Sequence, residues 1–219
     1  MGKTILTPLQ KKALSFISKD PIIQKRFIFT GGTALSEYYL HHRLSKDLDF
    51  FSEQDIDLLW IQTFGHALSQ KLHATKVDIE QSFNRNLVFF TFPDSILKTE
   101  FTYFPFSTIE KPKKQQGLRV DSLIDIAVNK FFTIYQKPAS RHFIDLYIIL
   151  TISSFEWKEL FQLARIKFDT VIDPIQLGSQ LMTVQTVKDF PTLIKPLPNK
   201  TWQAFFLSKA KELKTMIQS

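Results

Sequence analysis

Two aspartates at alternate positions, Asp47 and Asp49, are the residues of this sequence best suited to chemistry. Side chains alternate across a strand, so on a β-strand both would project from one face within about 7 Å of each other. Two carboxylates held this close repel each other, and a divalent cation removes the repulsion. Mg²⁺ prefers one or two carboxylates together with substrate phosphates. The pair therefore predicts a magnesium site for phosphoryl chemistry.

A glycine pair, Gly31 and Gly32, precedes these aspartates and adds a second constraint. The apolar residues 27–30 predict a short buried strand, the glycines a tight turn, and residues 33–41 a helix. The first N–H groups of a helix are unpaired and attract phosphate, and glycine lets a triphosphate approach the backbone closely. This order predicts a phosphate site at Gly31, Gly32 and Thr33 beside the metal ligands, although a glycine pair is also common in ordinary turns.

Glu100 is a third candidate, because it lies in an apolar-rich run predicted as a strand. An ionised carboxylate is costly there unless a cation or a donor meets it. In two-metal transfer, a third carboxylate can bind the second metal and help to take the proton from the attacking hydroxyl. The alternative is that Glu100 faces solvent and pairs with Lys98.

The elements that must position these residues divide the chain into two halves. Thr7 and Pro8 predict the start of a helix that runs through Lys19, and Ser52 and Glu53 are candidate caps of a second. Three short runs at 77–81, 87–92 and 96–104 then predict a strand meander. From residue 120 the pattern is helical. We therefore predict an α+β fold, with a mixed sheet and flanking helices in residues 1–118 and a C-terminal helical domain in residues 119–219.

Composition limits the classes of function. The 28 basic and 21 acidic side chains give a net charge of +7, which suits a polyanion such as a nucleoside triphosphate or RNA but equally serves solubility. The absence of cysteine excludes disulfides, thiolate metal sites and cysteine nucleophiles. The sequence has neither a signal-peptide pattern nor an apolar run of about 18 residues. We therefore expect a cytoplasmic protein without a membrane segment.

Four sequence motifs resemble a known family. Residues 31–35 (GGTAL), followed by residues 42–51 (HRLSKDLDFF), resemble the AbiEii/AbiGii-type nucleotidyltransferases, a branch of the DNA polymerase beta-like superfamily. The resemblance continues at residues 125–130 (DIAVNK) and at residues 141–147 (RHFIDLY). One departure is His142, where members of the family often have aspartate.

The resemblance implies a nucleotidyltransferase core followed by a helical domain, with the nucleotide in the cleft between them. It also implies roles for individual residues. Asp47 and Asp49 would bind Mg²⁺, while Gly31, Gly32 and Thr33 would contact the triphosphate and Ser45 would support a phosphate or the nearby loop. Lys130 would neutralise triphosphate charge, Asp145 would position the acceptor or transfer a proton, and Arg141 would hold Asp145. In the plainer alternative, Asp125 and Lys130 belong to a solvated helix face, and Arg141 and Asp145 form an ordinary ion pair.

These observations together predict a Mg²⁺-dependent enzyme that moves a nucleoside monophosphate from an NTP to a hydroxyl and releases pyrophosphate. The resemblance suggests a bacterial toxin of a toxin–antitoxin or phage-defence pair, with a cognate antitoxin and an RNA acceptor such as the 3′ end of tRNA. Two alternatives stay open: a catalytically inactive module that binds nucleotide or a partner, and an enzyme that modifies a small molecule or a protein. Residues 151–219 show no chemical constellation.

Overall fold

The computed structural model describes residues 4–217, and the side chains of residues 4–213. The chain forms two compact units, of which the first ends at Ser122 and the second begins at Leu123. The domain boundary predicted after residue 118 falls within a strand, Leu118–Val120. That strand belongs to the sheet, so the sheet-bearing unit extends further than the sequence pattern indicates.

In the part of the first unit that the structure describes, from residue 4 onward, a mixed sheet of seven strands forms the centre. Its strands are β1 (Ile28–Thr30), β2 (Leu48–Ser52), β3 (Lys76–Ser82), β4 (Arg85–Phe92), β5 (Ser95–Tyr103), β6 (Lys113–Gln115) and β7 (Leu118–Val120). Their spatial order is β3-β4-β5-β2-β1-β7-β6. β2 is antiparallel to β1 and parallel to β5, and β1 is parallel to β7. The predicted α+β fold and the β3–β5 meander are confirmed.

From residue 4 onward, four α-helices are described around this sheet: α1 (Pro8–Ile17), α2 (Pro21–Arg26), α3 (Gly31–Leu35) and α4 (Leu58–Leu72). α1 begins where predicted, because Thr7 accepts a hydrogen bond from the backbone N–H of Gln10 and the Gln10 side chain accepts one from Thr7 N–H. Pro8 occupies the first helical position, where its missing N–H costs nothing. The helix ends at Ile17, shortly before the predicted Lys19.

The predicted caps of α4 were wrong. Ser52 is the last residue of β2, and its hydroxyl donates to the carbonyl of Gln54 and accepts from that residue's N–H, which closes a turn. Asp57 caps α4 instead, since its carboxylate accepts from Leu59 N–H at 2.9 Å. A cap must immediately precede the first helical residue, and the intervening turn moves that position to Asp57.

The segment after β1 also differs from the prediction. The helix begins at Gly31 itself rather than at Thr33, and Gly31 has a φ of +74°. Residues Ser36–Leu40 continue as a π-helical turn, which ends at His41 in a left-handed conformation with a φ of +50°. A positive φ is readily adopted only by glycine, so Gly31 is required where the chain leaves the strand.

Aromatic side chains fill the core on one face of the sheet. Phe29, Phe50 and Phe101 pair across β1, β2 and β5, with ring centroids 5.0 and 5.3 Å apart. Trp60 and Phe64 of α4 contact the Phe101 ring edge-on. Full burial of each phenylalanine stabilises the fold by about 1.5–3 kcal/mol, so this row fixes the alignment of the three strands.

The second unit is helical, as predicted. Its α-helices, described to residue 217, are α5 (Leu123–Gln136), α6 (Ser140–Ile152), α7 (Trp157–Lys167), α8 (Pro174–Met182) and α9 (Asn199–Ile217). Phe143 of α6 packs against Trp202 and Phe206 of α9, and all three side chains are fully buried. Within residues 4–217, no helix combines the length and the apolar character needed to cross a membrane.

Candidate active site

The strand register brings the predicted acidic residues together. Asp49 of β2 pairs with Thr30 of β1 on one side and with Glu100 of β5 on the other. Paired residues of neighbouring strands share a face, about 4.8 Å apart. Asp47 immediately precedes β2 rather than lying within it, but its carboxylate meets Lys98, which shares the Glu100 face of β5. Asp47, Asp49 and Glu100 therefore lie on the same side of the sheet.

The glycine pair makes room for this cluster. A Cβ atom at Gly31 would overlap the carboxylate of Asp49, and one at Gly32 would overlap the Arg43 guanidinium and lie 2.9 Å from Ser45 Oγ. Any larger residue would displace Asp49 or the loop that precedes it. Gly31, Gly32 and Ser45 thus lie around the start of the acidic strand, and their role in binding phosphate stays a prediction.

The loop before Asp47 is held by buried polar contacts. Gln10 Nε2 donates to the carbonyls of Ser45 and Lys46 at 2.8 and 3.1 Å, and Thr33 Oγ1 donates to the carbonyl of Asp47. Arg43 is almost fully buried and donates to the Leu44 carbonyl. The Thr33 hydroxyl proton is therefore already engaged within the protein.

Glu100 is buried, so the alternative of a solvent-facing residue was wrong. Both of its oxygens accept hydrogen bonds of 2.7 Å from Arg85, and Thr102 donates to Oε1 at 2.9 Å. Burial alone would raise the pKa of Glu100, but the Arg85 hydrogen bonds and charge, with Thr102 and Lys98, lower it below the usual value. The same hydrogen bonds raise the pKa of Arg85. This bidentate pair is geometrically fixed.

Lys98 lies between two of the carboxylates. Its Nζ is 2.7 Å from Asp47 Oδ2 and 3.7 Å from Glu100 Oε2. Burial alone would lower the pKa of Lys98. The hydrogen bond to Asp47 and the charges of Asp47, Asp49 and Glu100 outweigh burial, so the pKa of Lys98 lies above its usual value. The cluster therefore combines three acidic side chains with two cations, Lys98 and Arg85.

These two cations were not identified as site residues from the sequence. Lys98 carried a signal, because it stands two positions before Glu100 and so shares its strand face. Arg85 carried no such signal, because the register between β4 and β5, which places Arg85 opposite Thr102, does not follow from residue spacing.

The residue types suit a divalent ion. Asp47 and Asp49 provide the one or two carboxylates that Mg²⁺ takes together with phosphate oxygens. As the side chains stand, however, no group of three or more acidic or histidine residues in the described part of the chain is arranged to hold a metal. The oxygens of Glu100 are engaged by Arg85, so its predicted role as a third ligand would require that pair to open.

Three of the predicted residues of the second unit, Asp125, Lys130 and Asp145, take part in buried ion pairs. Lys130 Nζ lies 2.9 Å from Asp145 Oδ2, and Lys167 Nζ lies 2.7 Å from Asp125 Oδ1. All four side chains are buried, so the alternative of a solvated helix face was wrong. Lys167 had no identifying signal in the sequence.

The prediction that Arg141 holds Asp145 was also wrong. Arg141 Nη1 lies 3.1 Å from Asp189 Oδ2, and the Asp189 side chain also accepts from Ser140 N–H. Asp189 therefore helps to fix the first turn of α6, while Asp145 faces Lys130.

Comparisons with known proteins find similar sequences and structures. A family model described as "Nucleotidyl transferase AbiEii toxin, Type IV TA system" matches residues 17–214. An uncharacterized protein of Aquifex aeolicus (strain VF5) is 28% identical over 192 residues, which cover 85% of this chain and 87% of that protein.

Two solved structures share the fold. A candidate nucleotidyltransferase from Helicobacter pylori superposes with a TM-score of 0.58 at 19% identity, covering 96% of this chain and 93% of that one. MenT4, a nucleotidyltransferase toxin from Mycobacterium tuberculosis H37Rv, superposes with a TM-score of 0.57 at 14% identity, covering 93% and 81% of the two chains. The predicted nucleotidyltransferase-like fold is confirmed.

Proposed function

The chain belongs to the AbiEii nucleotidyl transferase toxin family, and from this premise we propose that Asp47 and Asp49 hold the divalent ion of a nucleotidyl transfer reaction. Nucleotidyl transfer from an NTP is the activity of the family. The observation that supports the assignment most strongly is the position of Asp49, which lies against Gly31 and is paired in register with Glu100. The proposed phosphate site and the acidic cluster are thus adjacent within one unit.

The reaction joins an acceptor oxygen to the α-phosphorus of the NTP and breaks the bond to the β-phosphate, so that pyrophosphate leaves. A bound divalent ion would supply charge neutralisation at the reacting phosphates. The backbone N–H groups of Gly31, Gly32 and Thr33 would bind phosphate oxygens, with Ser45 beside them. Positioning and charge neutralisation account for catalysis, without covalent participation of the protein.

Glu100 has a different role from the predicted proton acceptor. Its pKa is lowered, and Arg85 engages both oxygens. A weakened base already occupied by a guanidinium is a poor acceptor for the hydroxyl proton. In our proposal Glu100 therefore positions Arg85 at the edge of the site. The roles of Lys130 in neutralising triphosphate charge and of Asp145 in proton transfer stay predictions from their motifs.

A basic edge of the sheet supports RNA as the acceptor. Lys113 and Lys114 are exposed on β6, and Lys114 lies directly opposite Arg119 of β7. Arg119 Nη1 donates to the carbonyl of Lys25, which adds a further exposed cation. Like charges placed directly opposite each other destabilise a strand pair. A polyanionic ligand would relieve this repulsion.

The register gives the distance from this basic edge to the acidic cluster. Lys114 pairs with Arg119, the residue before Val120, which pairs with Phe29 of β1. Thr30, the next residue of β1, pairs with Asp49, so alternation puts Lys114 on the Asp49 face of the sheet. Three strand spacings of about 4.8 Å place Lys114 roughly 15 Å from Asp49 across the sheet. An RNA strand bound at the basic edge could therefore place a terminal hydroxyl at the acidic cluster. The 3′ end of tRNA fits this description.

The family description supports a biological role as well. We propose that the chain is the toxin of a toxin–antitoxin pair with a cognate antitoxin, and that the pair acts in phage defence. Family membership and the toxin that shares its fold support this role.

A labelling experiment tests the activity. The protein is incubated with each α-³²P NTP and a fractionated cell extract, and label is then measured in RNA, protein and small molecules. We expect Mg²⁺-dependent label in RNA, and its loss in Asp47→Asn and Asp49→Asn. Asp78→Asn is the matched control, because Asp78 is an exposed strand aspartate paired only with Lys76 in the described structure.

Full transfer by both active-site variants would refute the proposal. Label in protein or in small molecules would overturn the RNA acceptor but retain the enzyme. Nucleotide binding without any transfer, and with an affinity insensitive to Mg²⁺, would instead indicate an inactive binding module.

A further inference from the structure

We propose that Lys98 is a resident counter-ion of the acidic cluster, which yields its place at Asp47 to the divalent ion when a metal-bound nucleotide arrives. The proposal rests on the proposed function, because it concerns the same carboxylates. It predicts that the free protein binds divalent ions weakly and that nucleotide strengthens this binding. Lys98 would then pair with the phosphates of the nucleotide.

The contacts of Lys98 place it where a metal is needed. Its Nζ lies 2.7 Å from Asp47 Oδ2 and 3.7 Å from Glu100 Oε2. Mg²⁺ binds oxygen ligands at about 2.0–2.1 Å, so an ion held by Asp47 and the ammonium of Lys98 would compete for the same oxygen. Two cations at this separation also repel each other. Metal binding at Asp47 therefore requires Lys98 to move.

Lys98 and Arg85 are held differently. Exposure does not separate them, because their side chains are 23% and 49% exposed. Lys98 donates a single hydrogen bond of 2.7 Å, to Asp47, whose side chain is 45% exposed. Lysine is also a point charge on a flexible stem. Arg85 instead donates two parallel hydrogen bonds of 2.7 Å to a buried carboxylate. Lys98 is therefore more readily exchanged than Arg85.

This difference couples metal binding to nucleotide binding. A free divalent ion must displace Lys98 from Asp47 and brings the ammonium no new anionic partner in exchange. A metal–nucleotide complex brings phosphate oxygens to the same place, so the displaced ammonium regains an anionic partner. By linkage, the nucleotide then increases metal affinity and the metal increases nucleotide affinity by the same factor.

Mn²⁺ binding measured by electron paramagnetic resonance tests this coupling. The affinity is determined with and without a non-hydrolysable NTP analogue for the wild type, Lys98→Met and Lys98→Arg. We expect Lys98→Met to bind free Mn²⁺ about tenfold more tightly, since a competing charge is removed, and to lose most of the enhancement by nucleotide. Lys98→Arg keeps the charge and should retain weak binding of the free metal.

Two controls locate the effect. Lys76→Met removes an equally charged strand lysine that pairs with the exposed Asp78, and its Mn²⁺ affinity should equal that of the wild type. Adding Asp49→Asn to Lys98→Met should abolish the gained affinity, which would place the metal at the acidic cluster. Circular dichroism establishes that each variant is folded.

Equal Mn²⁺ affinities of Lys98→Met and the wild type would overturn the inference, and so would a gained affinity that survives Asp49→Asn. The labelling experiment distinguishes this failure from failure of the proposed function. Nucleotidyl transfer with unchanged metal affinity refutes the exchange alone. Tighter metal binding by Lys98→Met without any transfer refutes the enzymatic proposal alone.

Discussion

Replacement of Gly31 by alanine should reveal how strongly the fold depends on the Asp49 carboxylate lying against the glycine. Two separate costs are expected. The φ of +74° disfavours any residue with a Cβ atom by about 1–2 kcal/mol. The new methyl group would also overlap the Asp49 carboxylate, and overpacking of this kind costs about 1–3 kcal/mol. Together these terms lower the free energy of unfolding by about 2–5 kcal/mol.

The two costs can be separated in a double-mutant cycle. Asp49→Ala removes the carboxylate that the methyl group would overlap but leaves the Cβ of residue 49, which lies 3.0 Å from the new methyl position. Gly31→Ala should then cost mainly the backbone term. Urea unfolding of the wild type, both single variants and the double variant measures the coupling, which we expect to be at least about 1 kcal/mol. Nucleotidyl transfer should be lost in Gly31→Ala, because Asp49 must shift.

Gly178→Ala is the control for this experiment. Gly178 lies within α8 and has no atom within 4 Å of the position that a Cβ would take. Alanine there should stabilise the protein by about 0.5–1 kcal/mol, since it favours a helix interior. If Gly31→Ala were as mild as Gly178→Ala, or if its cost were unchanged by Asp49→Ala, the described contact between Gly31 and Asp49 would be incorrect.

Three further predictions concern ion pairs and charge. Lys167→Met should lower the free energy of unfolding by about 3–5 kcal/mol in urea, because its buried aspartate partner loses the countercharge 2.7 Å away; a loss below 1 kcal/mol would contradict the buried pair. Replacing Lys113 and Lys114 by glutamine should weaken the binding of RNA whatever the RNA sequence, and should reduce the salt dependence of the RNA affinity by the equivalent of about two phosphate contacts. The affinity for nucleotide should not change. An unchanged salt dependence would exclude the basic edge as an RNA-binding surface. The pKa of Glu100 is lowered in the folded state, so its contribution to stability is present above the usual value of 4.5 and is lost as pH falls through the lower folded value. Arg85→Met should therefore reduce this acid sensitivity in pH-dependent denaturation, and an identical pH profile would contradict the cause assigned to the shift.

Local patterns in the sequence predicted much of the fold, for identifiable reasons. The β3–β5 meander is marked by short apolar runs separated by turn residues, and α1 by Thr7 and Pro8 at its start. The strand–glycine–helix–acidic strand order is also encoded within about twenty-five consecutive residues. Such features depend on neighbours in sequence, so periodicity and spacing reveal them.

The partners of the site residues could not be predicted in the same way. Arg85 meets Glu100 only through the pairing of two strands, and Arg141 meets Asp189 rather than the aspartate one helical turn away. Lys167 reaches Asp125 from another helix. An (i, i+4) spacing permits an ion pair but does not select it over a tertiary partner, so these contacts required coordinates.

The alternation of side chains in the central strands makes the integrity of the site an all-or-none property. Asp49 and Glu100 project from one face, and their neighbours Phe50 and Phe101 stack on the other. A slip of one residue in β2 would turn its acidic side chain into the hydrocarbon interior and its ring into water. Misaligned molecules should therefore be degraded or aggregate rather than persist as slow or error-prone enzymes, and a cell would contain either competent protein or none.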